Sequence, residues 1–299
     1  MKRFDNNAIR EAVRSHYGKT AAGCCGGSAP KETDACCVAD AEAKTAGGGG
    51  CGCGTTAAVN TVQGTCCSGP SPSLDETAHA LGYSPGQLSS LPEGANLGLG
   101  CGNPQAIASI RPGETVLDLG CGAGMDSFLA ARATGDAGLV IGVDMTPEML
   151  ARARANAEKT DIGNVEFRLG EIENLPVADN SIDVIISNCV INLSPEKPRV
   201  YSEAFRVLKP GGRLAVSDIV LTADLPDELR NDLSLYTGCM AGASPLPDIE
   251  AFLAHAGFGD IRISPKDESR DFIRQWAPGS RIADYVVSAT IEAIKPATE

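Results

Sequence analysis

Apolar positions fall into three regimes along the chain. From Phe4 to Tyr17 they recur at helical spacing, through Ile9 and Val13, and predict a short N-terminal helix over residues 1–19. From Thr20 to about Pro72 large apolar side chains almost vanish among Gly, Ala, Ser, Thr and Cys, including the run Gly47-Gly48-Gly49-Gly50. Such a tract cannot bury enough surface to build a core and is expected to be disordered. Globular patterning starts near Leu74, with short helical pieces at Asp75–Leu81 and Pro85–Leu91 and a glycine-rich turn from Gly98 to Pro104.

From Glu114 to Val220 short apolar runs alternate with helical periodicity. Strands are predicted at Glu114–Leu119, Leu139–Asp144, Val165–Leu169, Ile182–Ser187 and Arg213–Val220. Helices are predicted at Ser127–Ala133, from Thr146-Pro147-Glu148 to about Lys159, and at Pro198–Leu208, the last stopped by Pro210-Gly211-Gly212. This βαβα order implies an α/β fold with a mostly parallel, doubly wound sheet. Beyond it, helices are expected at Leu225–Leu235 and Pro247–Ala256, and strands at Ile261–Ser264 and Tyr285–Ile294. The divisions are therefore residues 1–72 (helix plus Cys/Gly-rich tract), 73–220 (α/β domain) and 221–299 (a small α+β region completing the substrate site and the sheet).

Charge and cysteine content change the picture. The formal net charge is −13, so a phosphate backbone is a poor partner and nucleic acid is not expected. No apolar run is long enough to cross a bilayer, and Met1–Lys19 lacks the apolar core of a secretory signal. A cytoplasmic setting away from membranes is the expectation. There twelve cysteines would be mostly reduced, and clustered thiols point to soft ions or redox chemistry rather than a disulfide scaffold. Eight lie in the polar tract: Cys24, Cys25, Cys36, Cys37, Cys51, Cys53, Cys66 and Cys67. His16, His79 and His255 show no ligand spacing.

The segment Val116-Leu117-Asp118-Leu119-Gly120-Cys121-Gly122-Ala123-Gly124 runs from a strand into a glycine turn and a helix. Glycines let the backbone approach a ligand, and a helix start follows. The spacing G-x-G-x-G is not that of pyrophosphate binders, and Asp118 would repel a pyrophosphate while suiting a cationic ligand. Asp144, at the end of the second strand, is placed to accept from a ribose diol.

These residues resemble the first motif of the class I S-adenosylmethionine (SAM) methyltransferases. Four further pieces fit in order: Asp144-Met145, Gly170-Glu171-Ile172-Glu173-Asn174-Leu175-Pro176, Ile182–Asn188, and Val207-Leu208-Lys209-Pro210-Gly211-Gly212. The resemblance covers about residues 90–220 and implies a Rossmann-like sheet whose last strand is antiparallel. It implies cofactor contacts at Asp118, Gly120, Gly122, Gly124, Asp144, Met145, Glu171 and Asn188.

Three cysteines remain outside the tract and beyond the glycine loop. Cys189 follows the fourth strand and so sits, by topology, at the mouth of the ligand crevice. Cys101 and Cys239 lie among glycines on either side of the domain. Ser187-Asn188-Cys189-Val190-Ile191-Asn192-Leu193, with those two, resembles the arsenite SAM methyltransferases. The resemblance implies As(III) held by Cys101, Cys189 and Cys239, with arsenite and methylarsenite as substrates. It also implies a redox cysteine upstream, either Cys66 or Cys67, 35 and 34 residues before Cys101. A thiol reductant, thioredoxin or glutathione, would be co-substrate, and the chain is expected to act as a monomer. Cys121 reads as a small filler of the glycine loop. Two rival readings are a methyltransferase of a small organic acceptor and a non-catalytic thiol-rich metalloid-binding protein. Zinc competes for any set of thiolates, but no Cys-x-x-Cys knuckle lies in the globular part.

Overall fold

The structure is a computed structural model and describes residues 5–23 and 73–297. Helix α1 (Asn6–Ala21) starts at Asp5 and buries Ile9 and Val13. Helices α2 (Leu74–Ala80) and α3 (Pro85–Ser89) each open on a reciprocal capping box, Ser73 with Glu76 and Ser84 with Gln87. A short helix not expected from the sequence, α4 (Gln105–Ala108), follows Pro104.

The α/β domain then runs β1 (Thr115–Leu119), α5 (Met125–Thr134), β2 (Leu139–Asp144), α6 (Pro147–Ala157), β3 (Val165–Leu169), β4 (Ile182–Asn188), α7 (Lys197–Val207) and β5 (Leu208–Leu221). After it come α8 (Asp227–Arg230), α9 (Leu233–Thr237), the two-residue β6 (Ser244–Pro245), α10 (Leu246–Ala256), β7 (Gly259–Lys266), α11 (Arg270–Trp276) and β8 (Val286–Ile294). The strand order is β3-β2-β1-β4-β5-β8-β7, with β6 beside β5. Neighbours are parallel except that β8 runs antiparallel to both β5 and β7. The expected α/β sheet with its antiparallel last strand is therefore present.

Central strands are apolar on both faces because helices cover both. Leu117, Leu119 and Ile185 pack with Tyr201 and Ala204 of α7 and with Ile249 and Leu253 of α10. Val116, Val184 and Ile186 pack with Ala108 of α4 and with Ala130 and Ala131 of α5. The order reverses between β1 and β4, and the crevice beyond their carboxyl ends is where such sheets bind ligands.

Several expected boundaries move for identifiable reasons. The single helix expected at Leu225–Leu235 is two, because Asp232 accepts from the Ser234 and Leu235 amides and caps a new start. Thr146 does stand at the N-cap of α6, but its side chain makes no capping bond; its own amide donates to Asp144 Oδ1 at 2.8 Å. β5 begins at Leu208 rather than Arg213, with an irregular register between Ile182 and Val184.

Candidate active site

A cavity of about 470 Å3 opens at the carboxyl end of the sheet. That volume lies in the range of small-molecule sites. The glycine turn after β1 forms one wall. Gly120 has φ +66 and lies so close to Val190 that an added Cβ would collide with its methyls. Gly122 has φ +51, and an added Cβ there would meet nothing within 4 Å. The first glycine thus permits close packing, and the second gives a bare backbone toward the cavity. Gly124, at φ +96 beneath Phe128 and Phe167, serves the entry into α5 and does not line the cavity.

Three buried acids gather at this end. Asp144 accepts from the Gly122 amide through Oδ2 (3.0 Å) and from Thr146 through Oδ1 (2.8 Å), which fixes the carboxylate and leaves it lone pairs to offer. Asp118 accepts from Ser127 Oγ at 2.6 Å. Asp126 accepts from Tyr83 Oη at 2.8 and 3.0 Å. No Lys or Arg pairs with any of the three among the described residues. Burial pushes the carboxyl groups of Asp118 and Asp126 up; the charge of Asp126 raises Asp118 further, while hydrogen bonds from Tyr83 and Asn188 hold Asp126 back. Burial also raises Asp144. Such an end complements a cation.

The other end is made of thiols. Cys189 follows β4 and Cys239 follows α9; both adopt the left-handed conformation, φ 61 and 64, which non-glycine residues seldom take. Tertiary bonds hold them there: the Cys189 amide donates to Ser217 O (2.8 Å), and the Cys239 Sγ donates to Cys189 O (2.6 Å). Cys101 is buried behind the cavity wall, its carbonyl accepting from Ser288 Oγ at 2.7 Å. Cys189 interacts with the thiols of both Cys101 and Cys239. All four described cysteines are free and buried. Burial raises the Cys101 thiol, and Cys189 and Cys239 are raised first by the neighbouring thiol and then by burial.

Asn188 links the two ends. Its Oδ1 accepts from the Cys101 amide (2.9 Å), and its Nδ2 donates to Gly102 O (2.8 Å) and Tyr83 Oη (3.0 Å). An added Cβ at Gly100, φ +112, would sit 2.7 Å from Asn188 Nδ2, so only glycine lets this loop close on the amide.

Comparison with known proteins decides the family. A family model described as a methyltransferase domain matches residues 110–277, more than half of the chain. Among solved structures, an arsenic (III) S-adenosylmethionine methyltransferase from Chlamydomonas reinhardtii superposes with a TM-score of 0.57 at 34% identity, over 76% of this chain and 75% of that one. The chain belongs to the arsenic(III) SAM methyltransferase family. An arsenite methyltransferase of Halobacterium salinarum is 56% identical over 240 residues, spanning 79% of this chain and 60% of its own length. One from Aquipseudomonas alcaligenes is 47% identical over 171 residues, spanning 55% of this chain and 49% of its own length.

Within this family fold, Asp118, Gly120, Gly122, Asp144, Met145, Asn188, Cys189 and Cys239 line the cavity. Glu171 does not. It turns outward to Arg10 and Arg14 of α1, and its neighbour Glu173 lines the cavity instead, beside Arg10 and Ser194. Cys66 and Cys67 lie outside the described residues, as do the other six cysteines of the tract.

Sequence reasoning missed four residues. Tyr17 of α1 reaches in, its Oη donating to Thr237 O (3.1 Å) and lying 3.9 Å from Cys239 Sγ. Tyr83 and Asp126 form the network behind Asn188. Asp218, in β5, is buried with a carboxylate oxygen within 4.8 Å of both the Cys101 and Cys189 sulfurs. Asp126 and Asp218 carry a readable signal: an acid in the first turn after a glycine loop, and an acid inside an apolar strand.

Proposed function

We propose that this protein transfers methyl groups from SAM to trivalent arsenic held by Cys101, Cys189 and Cys239. The observation that carries the reading is three buried thiols gathered at one end of a cavity, Cys189 and Cys239 in its wall and Cys101 behind it, with the buried carboxyl groups of Asp118, Asp126 and Asp144 at the other end. The residues present suit SAM. Asp118, aided by Asp126, would hold the ammonium of its amino acid part, and Asp144 would accept from the ribose diol. The bare backbone of Gly122 would lie along the ligand.

When bound, SAM supplies a sulfonium-activated methyl group, open to attack by the arsenic lone pair. The three thiols bind neutral arsenite by condensation, each S–As bond forming as one hydroxyl leaves as water. They leave the lone pair free on arsenic, so no general base is required of the protein. The chain's contribution is to position: Asn188 ties the Cys101 loop to the end of β4, and the hydrogen bond from Cys239 ties its turn to Cys189. Each transfer would break the methyl–sulfur bond, release the demethylated thioether and oxidise arsenic formally by two electrons. A pair of thiols returns them by forming a disulfide, with Cys66 or Cys67 and an external thiol, thioredoxin or glutathione, as the reductant.

The test is direct. Protein, arsenite, SAM and thiol are incubated, and products are read by mass spectrometry. Methylated arsenicals are expected from the native chain and none from Cys189→Ser. If no methylarsenical forms, or if Cys189→Ser stays active, a small organic acceptor or simple sequestration replaces this reading.

A further inference from the structure

Asp218 is unaccounted for by arsenic chemistry. Trivalent arsenic takes three sulfurs, and the three thiols supply them. Yet a buried carboxylate stands beside two of those thiols, its oxygen and their sulfurs within 4.8 Å of one another. Its position is fixed. Oδ1 accepts from the Ile219 amide (2.8 Å) and Asn192 Nδ2 (2.8 Å), while Oδ2 takes only a longer bond from the Asn192 amide (3.3 Å). Lone-pair capacity is left over. Cys239 is outside this three-atom group.

Two sulfurs and one carboxylate oxygen are poor ligands for arsenic but a good set for a borderline-soft divalent cation. Zinc takes tetrahedral S and O donors at about 2.3 and 2.0–2.2 Å, and thiolates favour ions of that kind. Drawing such donors around one ion needs only a modest contraction from the spacing seen, and Cys101 lies on a glycine-rich loop able to supply it. Charge also balances. The ion expels one proton from each of two thiols to solvent, and with the Asp218 carboxylate the site carries one net negative charge. The partly buried ammonium of Lys197, whose charge acts on Asp218, offsets it.

We infer that Cys101, Cys189 and Asp218 form a binding site for a divalent cation of the zinc and cadmium class. It overlaps the arsenic site but has a different third ligand. Cys101 and Cys189 serve both; Cys239 serves arsenic alone, and Asp218 serves the cation alone. The cation is then a competitor of arsenite. Its binding does not depend on the methyl-transfer reading, because it is measured without turnover.

The experiment uses Cd2+ and the full-length chain with Cys24, Cys25, Cys36, Cys37, Cys51, Cys53, Cys66 and Cys67 each changed to Ser, so that the tract cannot bind. Sulfur-to-cadmium charge-transfer absorption and calorimetry read the stoichiometry and affinity. One Cd2+ per chain is expected. Asp218→Asn should weaken it about tenfold or more, the scale at which metal sites respond to loss of even outer partners, while Cys239→Ser should change it less than about threefold. For arsenite the order reverses: Cys239→Ser binds weakly and Asp218→Asn binds as the parent does. SAM binding checks that each variant is folded. Unchanged Cd2+ affinity in folded Asp218→Asn overturns the inference. So does a loss in Cys239→Ser as large as that in Cys101→Ser, a comparison that stands even if Asp218→Asn does not fold.

Discussion

Replacing Asn188 by Ala should uncouple the thiol end of the cavity from the cofactor end. The side chain fixes the Cys101 loop through two backbone bonds, accepting from the Cys101 amide at 2.9 Å and donating to Gly102 O at 2.8 Å. Each such bond is worth about 1–1.5 kcal/mol net, so about 2–3 kcal/mol of loop ordering is lost. If that energy falls on the arsenic-competent arrangement, arsenite affinity drops about 30- to 150-fold, at tenfold per 1.4 kcal/mol. The glycine turn and Asp144 are untouched, and only the bonds to Tyr83 and Asp126 are lost at the cofactor end, so SAM affinity should fall less than arsenite affinity does. Calorimetry with each ligand separately reads both. Gly100→Ala should copy the arsenite defect, since its methyl would push against Asn188. The reasoning fails if folded Asn188→Ala binds arsenite normally, or if SAM affinity falls more than arsenite affinity does.

Other outcomes follow from the same geometry. Asp118→Asn removes the carboxyl group placed for the ammonium of SAM and should weaken SAM binding about 10- to 150-fold, the worth of a bond to a charged group at 1.5–3 kcal/mol; equilibrium dialysis decides. Cys121 packs with Phe128 and Phe167, in a different core cluster from Cys101, Cys189 and Cys239, so Cys121→Ala should keep arsenite turnover, measured by product mass spectrometry, where Cys101→Ser loses it. Asp218, near 3.9 when unfolded, is pushed up to about 7 by burial, so the folded chain binds more protons than the unfolded one between those values. Stability of the ligand-free protein should then fall as pH rises from about 4 to about 7, by at most about 1.4 kcal/mol per unit from this group. Urea midpoints at stepped pH should show a shallower slope in Asp218→Asn, and an identical slope would contradict the assignment.

The sheet was legible because its strands obey one rule: central parallel strands between two helical layers are apolar throughout. β2 was bounded to the residue by this rule; β3, the edge strand Val165–Leu169, was bounded equally well although it alternates apolar residues with Glu166 and Arg168. The helix α11 was not legible, since its pattern is set by a tertiary partner, Ile273 burying against the turn before β8. The single helix read across Leu225–Leu235 failed on a capping residue, Asp232, hidden within a helical period. At the site, Asp118, Asp144 and Cys189 were readable because topology alone puts the ends of β1, β2 and β4 at the crevice. Glu171 lies outside the cavity for a long-range reason. Glu171 and Glu173 both reach Arg10 of α1, 161 to 163 residues away in sequence; Arg14 of α1 holds Glu171 on the outside, and Ser194 holds Glu173 at the cavity. Tyr17 and Tyr83 were beyond reach for the same reason, as their roles exist only through long-range hydrogen bonds.

The raised thiols bear on the chemistry in a way that a list of ligands would miss. A cysteine that acts as a nucleophile needs a lowered pKa, and an electropositive setting provides it. Here the opposite holds: Cys101, Cys189 and Cys239 are held protonated by burial and by one another. For arsenite that is an advantage. Three neutral thiols and neutral arsenite give a neutral three-sulfur complex and three waters, so no charge is created in a buried site and no desolvation penalty arises. On the proposed reading the carboxyl groups of the far end, also raised by burial, serve the reverse need, ionising against a cation that arrives already charged. On the proposed reading one cavity thus offers its two partners different chemistry, sulfur for arsenic at the thiol end and carboxyl groups for the ammonium of SAM at the other.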